Sequence, residues 1–124
     1  MAGERRKVQG LIWFLATLPV LAFLTLFSFA LRARWSLGRW PSYSNPDPKD
    51  LGFDFHYWLS GLTLNVSVLA QVLLTVLAIV SWAGWLRAYR WSAFLAALVC
   101  TATLCLLIGV LWLDPVGLME WYVD

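Results

Sequence analysis

Three stretches of this chain carry no Asp, Glu, Lys, Arg or His at all: positions 11–31, 57–86 and 91–113. As α-helices they would measure about 31, 45 and 34 Å, at 1.5 Å per residue. A bilayer hydrocarbon core is about 30 Å thick, so each run is long enough to cross it. The pattern predicts an all-α integral membrane protein with three transmembrane helices, forming a single membrane domain. Between the first and second helices lies a polar segment, 32–56, expected to be an ordered extracytoplasmic loop. A short outer tail, 114–124, follows the third. The middle run is the longest and is expected to tilt, or to begin in the headgroup layer.

Polar and small residues inside the runs fall into stripes. In the second run Ser60, Thr63, Ser67, Gln71, Thr75, Ala78 and Ser81 cover about 120° of a helical circumference. In the third, Ala93, Ala97, Thr101, Cys105 and Gly109 recur every four residues, a small-residue ridge that admits a close neighbour. Unpaired polar groups are costly in lipid, so the stripe needs partners. Only the short link 87–90 separates these runs, and they are expected to form the tight pair, stripe against ridge. Asn65 points about 120° away from Gln71 and is left for the first span, a headgroup or another chain. Pro19 removes one backbone donor from the first span and is expected to kink it.

Composition agrees. Hydrophobic residues make up 61% of the 124 and charged residues 13%, against about 25% charged in soluble domains. A signal peptide is the competing reading of the first run, since Arg5, Arg6 and Lys7 precede it and Ser28-Phe29-Ala30 resembles a peptidase site. Its apolar stretch exceeds the usual length of about 7–15 residues, which favours a retained helix. Cys100 and Cys105 lie about 140° apart on a helix and read as packing residues, not as a disulfide or a metal pair.

Charge sets the expected threading. Arg5, Arg6, Lys7, Arg87 and Arg90 fall on one side of a three-span chain, and Arg32, Arg34, Arg39 and Lys49 on the other. The positive-inside rule then places the N-terminus in the cytoplasm and the loop and C-terminus outside. Trp35, Trp40, Tyr57, Trp58, Trp112, Trp121 and Tyr122 collect near the outer border, and Trp13, Trp82, Trp85, Tyr89 and Trp91 near the inner one. Both groups read as interfacial anchors.

No ionisable group interrupts the middle of a span, which disfavours a proton-coupled carrier. The lone His56 sits at a helix end, which disfavours an embedded haem. The loop carries the remaining chemistry, and most of it reads as turn structure. Asp47 can cap a short helical turn with Pro48 first and Asp50 third, Gly52 can end it, and Asp54 can cap the second span at Phe55. No catalytic, cofactor or metal site follows from these residues. Asp-x-His at Asp54 and His56 falls short of the three or four ligands zinc usually takes.

The segment Leu37-Gly38-Arg39-Trp40-Pro41, followed by Asn45-Pro46-Asp47-Pro48-Lys49-Asp50-Leu51-Gly52-Phe53 and His56, resembles a loop of small bacterial membrane proteins without an assigned activity. That resemblance implies a bacterial inner membrane and nothing catalytic. The expected function is a non-enzymatic accessory or scaffolding subunit presenting residues 36–56. Its partners would be the lipid bilayer and a membrane or periplasmic protein, or further copies of itself, and not nucleic acid. The candidate contacts are Arg39, Trp40, Asp47, Lys49, Asp50, Asp54 and His56. Two alternatives stand beside it: a small membrane enzyme or lipid-handling protein with a headgroup-level site at Arg39, Asp50, Asp54 and His56, and an oligomeric channel using the stripe of the second span.

Overall fold

The computed structural model describes residues 1–41, 47–114 and 117–123. Among them there are four α-helices and no strand: α1 (Ala2–Leu37), α2 (Asp54–Trp82), α3 (Arg90–Leu113) and α4 (Leu118–Val123). Three helical segments, Ala2–Leu37, Asp54–Trp82 and Arg87–Leu113, are long and apolar enough to cross a membrane. Short 3₁₀ turns, Pro48–Leu51 and Arg87–Tyr89, precede α2 and α3.

The helices overrun the uncharged stretches. α1 begins nine residues before position 11 and continues through Arg32 and Arg34, so these two cations are helical and not part of a loop. Leu, Ala and the long charged side chains all favour helix, so a change of polarity alone does not stop one. What ends α1 is Gly38, at φ 69°, a left-handed conformation that lacks a Cβ penalty only in glycine. α2 stops earlier than its uncharged run, at Trp82, and the chain turns through Gly84 at φ 107°. Pro19 lies buried within α1, which continues on both sides of it.

The most extensive helix contact is not between α2 and α3. α1 lies against both, and its contact with α2 is the more extensive. The reason is the small-residue face of α1: Ala16, Ala22, Ala30 and Ala33 are all at most 1% exposed and let the other backbones approach. Near the hairpin end Ile12 and Ala16 meet Leu74 of α2 and Ala96 and Cys100 of α3 in one buried cluster. Near the loop end Phe29, Ala30 and Ala33 meet Trp121 of α4 in a second.

The expected stripe and ridge meet only in part. Toward the loop end the stripe turns to α1, where Thr63 and Thr25 hydroxyls are 2.8 Å apart, and to α4, where Ser60 bonds Tyr122. Ser67 donates to the Thr63 carbonyl of its own helix. Farther along, Gln71 Nε2 donates to Thr101 Oγ1 of α3 at 2.8 Å and to Thr75 Oγ1 at 3.1 Å. On α3 the buried residues are Ala93, Ala96, Cys100 and Leu107, while Thr101 and Cys105 are exposed and Ala97 and Gly109 half-buried. A four-residue step drifts by about 40°, so a ridge built on it leaves one face after two or three steps.

Candidate functional site

The loop end is the most elaborately built part of the molecule. Its centre is Phe29, fully buried on α1. Four rings surround it: Trp121 stacked at 5.4 Å, His56 edge-on at 5.3 Å, Tyr57 at 5.9 Å and Tyr122 at 6.1 Å. Offset-stacked and edge-to-face pairs at these separations each add to the area they bury. They draw α1, the start of α2 and α4 together. The tail is therefore not a simple outer extension. Trp121 is 0% exposed, which corrects the expectation that it anchors at an interface. Trp35, Trp58 and Trp112 do remain outward, at 85%, 59% and 87% exposure.

Under this cluster runs a small hydrogen-bond network. Ser60 Oγ donates to the Tyr57 carbonyl at 2.8 Å, so its lone pair is free to accept from the Tyr122 hydroxyl, also at 2.8 Å. Burial pushes the Tyr122 phenol above its ordinary value; the bond with Ser60 opposes the shift and the neighbouring Tyr57 adds to it. The hydroxyl thus acts as a neutral donor holding α4 to α2.

His56 works in the same way. Its Nε2 lies 2.9 Å from Ser28 Oγ and 3.2 Å from the Thr25 carbonyl. A carbonyl only accepts, so Nε2 carries a hydrogen. Ser28 gives its own hydrogen to the same carbonyl at 2.9 Å and can accept from the ring. The histidine is half-buried and fastens the first turn of α2 to α1. Only Nδ1 remains for other chemistry.

The polar segment is fastened from above. The Arg32 guanidinium sits 3.9 Å over the Phe53 ring, and that of Arg34 4.5 Å over Trp40. Trp40, Leu51 and Phe53 pack on the buried cluster. Asp47 caps the 3₁₀ turn, accepting the Lys49 N–H at 2.9 Å, with Pro48 buried in its first position and Gly52 closing it at φ 72°. Here the local reading and the structure coincide. Asp54 differs: it is the first residue of α2, Phe53 holds the capping position, and no side chain caps the helix. Its carboxylate still lies at the positive end of the helix dipole. Asn45 and Pro46 lie outside the described residues.

Of the seven candidate contacts, Trp40, Asp47 and His56 are half-buried and committed to the fold, while Arg39, Lys49, Asp50 and Asp54 are exposed. Arg39 Nη1 makes a long 3.5 Å contact with the Trp40 carbonyl. Among the described residues no three His, Cys, Asp or Glu side chains come together as a metal site would require. Sequence reasoning assigned Thr25 no role, offered Ser28 and Phe29 only as part of a peptidase-like site, and offered Trp121 only as an interfacial anchor. The one available signal was Trp121-Tyr122 itself, two large rings in a tail too short to be a span.

No protein-family model matches this chain, and neither the curated proteins nor the solved structures searched contain a similar one.

Proposed function

We propose that this chain is a multi-pass protein of the bacterial inner membrane, with its N-terminus in the cytoplasm and its loop and C-terminus outside. It acts as a non-enzymatic accessory subunit that presents the loop end to a membrane or periplasmic partner. Membrane insertion is supported by the three long apolar helices, whose surface is covered by leucine, valine and phenylalanine. An aqueous surface tolerates no such area.

One observation carries the subunit reading. The loop end is stiffened by aromatic stacking, two cation–π contacts, buried prolines and a capped turn. Yet the side chains of Lys49, Asp50 and Asp54 point outward from it without partners among the described residues. A rigid platform with free charges of both signs suits recognition, because little ordering entropy is lost on docking. His56, tied through Nε2, offers only Nδ1 to further chemistry. Along the stripe of α2, Ser60, Ser67 and Ser81 are closed in at 0–1% exposure, while Thr75 stays exposed beside α3.

A photo-crosslinker placed at Lys49 tests this in cells. One reproducible protein adduct is expected, lost when Asp50 and Asp54 are both changed to Lys and the amount of protein is unchanged. Adducts with lipid alone, or an adduct indifferent to the charge reversal, would overturn the reading.

A further inference from the structure

The face of α2 turned away from α1 and α3 carries one residue that does not belong in lipid. Asn65 is exposed, about 160° around the helix from the buried Ser67. It lies about 5 Å along the axis from the middle of a helix about 44 Å long, so on the membrane-spanning reading it sits deep in hydrocarbon. Its Nδ2 donates to the Gly61 carbonyl at 2.8 Å. The second amide hydrogen and the side-chain oxygen have no partner among the described residues. An acyl chain offers neither a donor nor an acceptor, so on a monomer both groups stay unsatisfied.

We propose that Asn65 is the centre of a parallel homodimer interface formed by α2 of two copies. Two arguments select a second copy as the occupant. The first is chemical. A primary amide with a spare N–H and a spare oxygen is complementary to itself, and a twofold axis normal to the membrane brings two copies of Asn65 together at one depth. The second is geometric. Leu62, Asn65, Leu69, Val72, Val76 and Ile79 are all exposed and follow one another at alternating steps of three and four. That is a heptad seam, which lets two helices stay in contact at a crossing of about 20°. A single Asn in such a seam fixes register and favours one pairing over slipped ones. The seam faces away from the buried Ser67, Ala70 and Leu74; Leu62 and Asn65 border a groove beside Tyr122 of α4, and Ile79 borders one beside Phe94 and Leu98 of α3, while Leu69, Val72 and Val76 between them are exposed.

The inference rests on the membrane-spanning reading but not on a loop partner. The test uses the full chain in liposomes at graded protein-to-lipid ratios, with Cys100 and Cys105 both changed to Ala. A single cysteine at Leu69→Cys should cross-link to its own copy on oxidation, and one at Ala70→Cys, on the buried face, should not. Energy transfer between labelled chains should report a dimer whose association constant falls about threefold to thirtyfold in Asn65→Leu. Helix content measured by circular dichroism should be unchanged, because Asn65 supports only a local bond. Chains that enter liposomes yet stay monomeric at every ratio, cross-link equally at both positions, or are indifferent to Asn65→Leu would overturn it. Chains that fail to float with liposomes would instead refute the membrane reading beneath it.

Discussion

The indole of Trp121 stacks on the ring of Phe29 with centroids 5.4 Å apart and planes 17° from parallel. They are 92 positions apart in the chain, and the contact turns a C-terminal tail into part of the helix bundle. Both rings are fully buried. Trp121→Ala should therefore cost about 3–5 kcal/mol of stability, as for other buried aromatic truncations. Trp112→Ala, at a position 87% exposed, should stay within about 0.5 kcal/mol. Reversible unfolding in mixed micelles measures both.

Tyr122 gives the tail a pH dependence. Its phenol is held above the ordinary value of 10.0, chiefly by burial. The unfolded chain therefore loses this proton first. The contribution of Tyr122 is complete below about pH 10 and is lost as the pH rises through the elevated value. A near-ultraviolet tyrosinate titration should show one late-titrating phenol that disappears in Tyr122→Phe. A titration identical in the two proteins would contradict the docked geometry.

The interior amide gives a prediction with an unusual ordering. Gln71 donates to Thr75 and Thr101, while its Oε1 is buried without a partner. Thr101→Val strands one of the amide hydrogens and should cost about 1 kcal/mol. Gln71→Leu removes the donors and the orphaned oxygen together and should cost less than Thr101→Val. The same unfolding assay ranks them.

Much of this architecture was legible because helices long and apolar enough to cross a membrane announce themselves by length and lack of charge. The turn at Asp47, Pro48 and Gly52 was legible for a different reason: its chemistry is local, and local chemistry can be read without knowing the fold. What stayed hidden depends on contacts far apart in sequence. Nothing near Trp121 reveals that Phe29 lies across from it, and an interfacial tryptophan and a buried one have the same composition. The pairing of α2 with α1 was missed because alanine is too common in such a chain to mark a packing face. Ala22 and Ala30 look ordinary until their burial is known. His56 was read against its neighbours Asp54 and Asp50, whereas its actual partners, Thr25 and Ser28, lie one helix away.

The proposed crossing of the membrane by α2, which puts the loop and the α2–α3 link on opposite sides, is central to the functional reading, and side-specific cysteine labelling tests it most directly. In a background lacking Cys100 and Cys105, Lys49→Cys and Ala88→Cys are each treated on intact cells with a membrane-impermeant maleimide. The proposed topology, with the N-terminus inside, predicts labelling at position 49 without lysis and at position 88 only after lysis. Equal labelling of both positions from the outside would contradict it.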